Sequence, residues 1–170
     1  MKRKIVIILG SKNDLKQCAK GLKLLPGETN VSIHVRSVHR HTRKLHWLLD
    51  SLAEENPDDV EIVIIAGAGK AAHLPGCVDT YLRYHLRNKN INVIGVAFEG
   101  DTKEDSLAAR LSITQVPGTQ VRYAGLGKAG FSSACLTALK EPLAEIKLPD
   151  IPPCLDLSLT QAIELAENGE

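Results

Sequence analysis

Two histidines stand where a proton could be moved. His39 lies in the polar stretch Ser37-Val38-His39-Arg40-His41-Thr42, and His73 follows Gly67-Ala68-Gly69-Lys70-Ala71-Ala72 directly. Imidazole is the side chain that titrates nearest neutral pH, so either residue suits a general acid–base. Arg40, beside His39, can clamp a phosphate through charge-assisted hydrogen bonds. A third stretch, Gly10-Ser11-Lys12-Asn13-Asp14, offers a hydroxyl, an amide and helix-start N–H groups to an anion, while Asp14 suits sugar hydroxyls. Each residue also has a plainer use. Ser11, Asn13 and Asp14 are good helix N-caps, Arg40 could be a solvated loop arginine, and His73 could cap the helix it opens.

These stretches do chemistry together only if the chain brings them together. Residues 5–9 (Ile-Val-Ile-Ile-Leu) and 62–65 (Ile-Val-Ile-Ile) are continuous apolar runs, which read as strands buried on both faces. Val31, Ile33 and Val35 alternate with polar residues, giving a less buried strand. Residues 93–96 form a fourth strand and 121–126 a weaker fifth. Helical spacing of apolar residues fills the gaps: about 15–25, 45–52, 71–86, 105–111 and 130–139. Gly67, Ala68 and Gly69 are expected as a loop with almost no side chain, through which a ligand can reach backbone N–H groups. Prolines 142, 149, 152 and 153 mark a connector. Ser158 and Gln161 form a capping-box pattern ahead of a last amphipathic helix.

Strands alternating with helices imply an α/β fold, a doubly wound parallel sheet in three α/β/α layers. The simplest topology is flavodoxin-like, with strand order 2-1-3-4-5 and its switch point between strands one and three. Ligands bind there, beyond the carboxyl ends of the strands. That crevice gathers Ser11, Asp14, His39, Arg40 and His73.

Composition narrows the options. Hydrophobic residues at 44% and charged residues at 24% are ordinary for a soluble globular chain, and a net charge of +1 gives no support for a nucleic-acid or membrane surface. Apolar runs of about five residues are too short for a membrane span or a signal-peptide core, so cytoplasm is the default. The four cysteines, widely spaced and without a CxxC pair, read as reduced and mostly buried thiols. A dinucleotide loop over residues 67–72 would follow the third strand instead of the first, and a Walker loop would need Ser or Thr where Ala71 stands. His39, His41 and His46 lack partners at a known metal-ligand spacing.

The same three loops resemble the PurE family of purine biosynthesis. The family pattern Gly-Ser-x-Ser-Asp is similar to residues 10–14, Ser-Ala-His-Arg to residues 37–40, and Gly-Ala-Gly-Gly-Ala-Ala-His-Leu-Pro-Gly to residues 67–76. Further likeness at 105–107, 112–117 and 127–130 carries it over about residues 4–140. The resemblance implies a catalytic unit over residues 1–141; the proline-rich connector and C-terminal helix over 142–170 lie beyond it and are expected to make an oligomer contact. It implies a homo-octamer with active sites shared between subunits, a small ribonucleotide substrate, and no metal or organic cofactor. The activity implied is that of a 5-(carboxyamino)imidazole ribonucleotide mutase. The alternatives are an aminoimidazole ribonucleotide carboxylase using CO2 directly, or a nucleotide-binding paralogue without chemistry. Arg40 after the loop histidine favours the mutase subgroup.

By position in the family pattern, Ser11, Asp14, Ser37 and Arg40 hold ribose and phosphate. Gly67, Ala68, Gly69, His73 and Leu74 surround the base, and His39 is the acid/base, with His73 the second catalytic candidate. Asn13 and Lys70 occupy binding positions where the family has Ser and Gly. Two courses are open to Lys70. Its stem turns outward, which the intact flanking residues favour, or its ammonium enters the crevice toward a substrate anion. A positive φ at 69 or 70 adds strain of about 1 kcal/mol.

Overall fold

A computed structural model describes residues 2–27 and 30–168; Met1, Glu28, Thr29, Gly169 and Glu170 lie outside it, and with them the outermost ends of the two units expected from sequence. Five strands form one parallel sheet: β1 (Lys2–Leu9), β2 (Val31–Val35), β3 (Val60–Gly69), β4 (Asn92–Phe98) and β5 (Arg122–Leu126). Their order is β2-β1-β3-β4-β5, as expected, with β1 beside both β2 and β3. The helices are α1 (Leu15–Leu22), α2 (Thr42–Ala53), α3 (His73–Thr80), α4 (Lys103–Thr114), α5 (Gly127–Lys140) and α6 (Leu159–Asn168).

The sheet's pleat sorts its side chains into two cores. Val6, Ile8, Ile62, Ile64 and Ala66 point to one face, where α2, α3 and α4 contribute Leu45, Leu49, Leu74, Val78, Ala109 and Ile113. Ile5, Ile7, Leu9, Val63, Ile65, Val96 and Phe98 point to the other, under α1 and α5 with Cys18, Phe131, Ala134 and Cys135. Alternation within an unbroken apolar run is the period-two geometry of a strand covered on both sides. At about 25 cal/mol per Å2 of apolar surface, these two layers supply the main stabilisation of the domain.

Several boundaries differ from the sequence reading. β3 does not stop at Ile65: it runs through Gly69, with Gly67, Ala68 and Gly69 paired to Val96, Ala97 and Phe98. Small residues have low strand propensity, but pairing with β4, joined at Gly67 by pairing with Leu9 of β1, overrides it. The helix expected over 71–86 starts at His73 and changes at Tyr81 to a π-helical turn, Tyr81–His85. There Asp79 and Arg83, both fully buried, form an ion pair of 3.0 Å. α4 and α5 are longer than expected. Of the cysteines, Cys18 and Cys135 are buried, whereas Cys77 and Cys154 are exposed, and none is bonded.

The connector from Pro142 is not detached from the domain. Asn92 exchanges two hydrogen bonds with the backbone of Ala144, and Gln120 does the same with Lys147. Arg87 donates to the Pro149 carbonyl at 2.8 Å. Beyond this, residues 151–168 are exposed throughout, α6 included. The Ser158–Gln161 capping box is present in both directions. Among the described residues, no helix is long and apolar enough to cross a membrane.

Candidate active site

Each loop at the carboxyl edge is shaped by its own hydrogen bonds. After β1 the chain makes a 3-10 turn, Lys12–Asp14. The Ser11 hydroxyl accepts the Asn13 N–H at 3.2 Å, and the Asp14 carboxylate accepts the Ser11 N–H at 2.8 Å. Ser11 and Asp14 are therefore caps, and they also line the cleft. Asp14 is 9% exposed. Its carboxylate lies against the ends of β1 and β3, close to Gly10 and Gly69. Burial pushes its pKa above the ordinary aspartate value, against the pull of the Ser11 N–H.

After β2, Ser37 and His41 close a tight loop. The His41 N–H donates to the Ser37 carbonyl at 2.8 Å, and the Ser37 N–H donates to His41 Nδ1 at 3.1 Å. That bond requires an unprotonated Nδ1. Thr42 caps the same loop by donating to the Val38 carbonyl. Ser37 is buried, and His39 and Arg40 are thrust out at the apex.

After β3 the reversal takes three residues. Lys70 has φ +55°, a left-handed conformation that glycine adopts freely and lysine adopts at a cost of about 1 kcal/mol. Ala72, fully buried, has φ −78° and ψ 60°, the geometry of an inverse γ-turn, and the His73 N–H closes it on the Ala71 carbonyl at 2.9 Å. This turn delivers His73 at the first residue of α3. His39 Nε2 and His73 Nδ1 then meet at 3.2 Å, with the two rings perpendicular. One of these nitrogens carries the proton of the bond and the other accepts it. The two imidazoles are thus a coupled pair able to hand a proton to a reactant.

The three loops enclose an open cleft of about 660 Å3. Ser11, Asn13, Asp14, Ser37, His39, Arg40, Ala68, Gly69, Lys70, His73 and Leu74 all line it. Gly67 does not. It is a strand residue whose Cα faces the Phe98 ring, and a Cβ there would come within 2.6 Å of that ring. Its carbonyl accepts the Gly10 N–H at 2.9 Å, joining the ends of β1 and β3. Gly67 therefore shapes the wall from behind.

Sequence reasoning missed the fourth wall. Glu99, Gly100 and Asp101, directly after β4, complete the cleft together with Lys16 and Gln17. Gln17 holds that wall with its amide: it donates to the Glu99 carbonyl at 2.9 Å and accepts the Glu99 N–H at 3.0 Å. The signal was available in the strand order, since β4 neighbours β3 and its carboxyl end must open on the same edge. Among the described residues, no cluster of three His, Cys, Asp or Glu side chains is arranged to hold a metal.

The family model for AIR carboxylase matches residues 4–150. The chain belongs to the AIR carboxylase family. An N5-carboxyaminoimidazole ribonucleotide mutase of Pyrococcus abyssi is 35% identical over 149 residues, which cover 87% of this chain and 77% of that protein. The N5-carboxyaminoimidazole ribonucleotide mutase of Escherichia coli K12 is 37% identical over 143 residues, covering 79% and 74%. The crystal structure of Treponema denticola PurE superposes with a TM-score of 0.60 at 19% identity, over 82% of this chain and 83% of that one, and has the same fold. The family match extends past residue 141 to include the docked part of the connector.

Proposed function

We propose that the chain is an N5-carboxyaminoimidazole ribonucleotide mutase of purine biosynthesis. The observation that carries this reading is the 3.2 Å contact between His39 and His73, in a cleft that also holds Arg40, Ser11 and Asp14. Arg40, Ser11 and Ser37 bind the phosphate, and Asp14 with Asn13 meets the ribose. Ala68, Gly69, Lys70 and Leu74 flank the base.

The reaction then needs one proton moved twice. The carbamate C–N bond breaks, its electron pair stays on the exocyclic nitrogen, and His39 protonates that nitrogen. The CO2 released remains in the cleft. The neighbouring ring carbon attacks it, forming the new C–C bond, and the ring proton passes to the now neutral His39. Atoms balance without a redox partner. Hydrogen bonding to His73 lets His39 give and take the proton at one position, since the shared proton fixes the tautomer of the pair. Holding CO2 beside the carbon that captures it replaces a bimolecular step by a local one.

The enzyme works in the cytoplasm as a homo-octamer with sites shared between subunits. In support, the segment from Ile151 to Leu165 exposes Ile151, Leu155, Leu157, Leu159, Ile163 and Leu165, an apolar surface with no cover in the single chain.

An absorbance assay of each candidate ribonucleotide, with and without bicarbonate, tests the assignment. Turnover of the carbamate without bicarbonate is expected. Bicarbonate-dependent turnover of the uncarboxylated ribonucleotide alone would make the chain a direct carboxylase. Binding without turnover would make it a paralogue without chemistry.

A further inference from the structure

Lys70 pays a conformational penalty that a glycine would avoid, and the penalty falls on the turn that delivers His73. Its φ of +55° lies in the left-handed region, two residues before the inverse γ-turn at Ala72. Strained backbone on a non-glycine residue persists where the surroundings demand it, and such residues concentrate at working sites. Lys70 lines the cleft and is solvent-exposed. The four ion pairs among the described residues are Arg3–Glu61, Lys4–Glu55, Arg83–Asp79 and Arg122–Glu141, so Lys70 has no carboxylate partner.

The cleft's cations are unevenly placed. Arg40 belongs to the β2 loop beside Ser37, on the side assigned to phosphate. Lys70 belongs to the β3 turn, three residues before His73, on the side where the carboxyl group must move. A substrate with a phosphate and a carboxylate presents two anionic groups, and of the three cations that line the cleft, Lys16, Arg40 and Lys70, the last two sit on the loops that carry His39 and His73. We propose that Lys70 binds the migrating carboxylate in both the substrate and the product, and so sets the preference for carboxylated over uncarboxylated ribonucleotides. The inference rests on the mutase reading of the same site.

It carries a kinetic signature. The carbamate and the product carboxylate are anions, whereas CO2 is neutral. A cation beside them stabilises the two end states more than the state between, which tightens binding without lowering the barrier. Lys70 therefore lowers KM at some expense of kcat. A purely structural role for this turn residue would not separate the two.

The test uses full-length protein with Lys70→Gly, which removes charge and strain, and Lys70→Met, which removes the charge and leaves the backbone requirement. Calorimetry measures the Kd of the carbon-carboxylated product and of its uncarboxylated counterpart. Both variants are expected to bind the carboxylated ligand about tenfold more weakly while keeping the other within about twofold, the loss of one charge-assisted contact in an open cleft. KM for the carbamate should rise with it, and kcat should rise as well. Melting should be higher for Lys70→Gly than for Lys70→Met. Equal weakening of both ligands, or weakening of neither, would overturn the inference, as would a loss seen with Gly and not with Met. Failure of the wild type itself to convert the carbamate would reject the mutase reading, whereas normal wild-type turnover with unselective variants would reject Lys70 alone.

Discussion

His39 and His73 are 34 positions apart in the chain and share one hydrogen bond in the fold. Both could be singled out from sequence, because each follows a strand whose carboxyl end must open on the same edge. Their direct contact could not, because it depends on a positive φ at Lys70 and a γ-turn at Ala72 that no hydrophobic pattern announces. Replacing His39 by Asn should lower kcat at least ~10²-fold, the usual contribution of a general acid–base, while ribonucleotide binding persists in a calorimeter. A near-normal rate would move the proton chemistry to His73. Asp14 offers a second test, through stability. Folding raises its pKa, so its charge is a cost to the folded state. That cost is absent below the ordinary aspartate range, near ~3.9, and is complete once the pH exceeds the raised value. Asp14→Asn keeps an oxygen to accept the Ser11 N–H and removes the charge. Its melting temperature should exceed the wild type's at neutral pH, the advantage should shrink on acidification, and ribonucleotide affinity should fall. A variant that melts lower at neutral pH would contradict this account of Asp14.

Elements were most legible where the core dictates them. The two isoleucine-rich runs became the central strands β1 and β3, and the order of all five strands is the simplest one that right-handed crossovers allow. The run Gly67–Gly69 reads as loop because its composition suits a turn, while its pairing with β4 is a tertiary fact. The π-helical turn after α3 was equally hidden. Asp79 and Arg83 stand four residues apart in the sequence. In the fold both are fully buried. Arg83 also donates to the carbonyls of Asn88 and Ile91, and Asp79 accepts the Gln120 N–H at 2.7 Å. The pair fastens the end of α3 to the start of β4 and to the chain entering β5. Desolvation pulls the Arg83 pKa down, opposed by Asp79. Asp79→Ala would leave a guanidinium buried without its partner, at a cost of about 3–5 kcal/mol. Urea denaturation measures this directly, and a loss below about 1 kcal/mol would show that water or another group replaces Asp79.

At the scale of the molecule, two apolar layers on one parallel sheet leave the carboxyl edge free to carry four loops, and the opposite end of the chain free to leave the domain. The connector's departure was legible in its prolines, but its docking through Asn92, Gln120 and Arg87 was not, because polar side chains that grip a backbone resemble ordinary surface residues. The exposed apolar residues from Ile151 onward predict that sedimentation of the full-length chain gives an oligomer. A chain ending at Asp150, which keeps those docking contacts, should give a smaller species. A monomeric full-length chain would refute the octamer. In the mutase mechanism the carboxyl group stays in the cleft throughout its transfer. That retention is tested most directly with carbamate substrate labelled with 13C in its carboxyl carbon, turned over in excess unlabelled bicarbonate and followed by mass spectrometry. The account predicts that the product retains the label. A product whose carboxyl carbon comes from the unlabelled bicarbonate would contradict it.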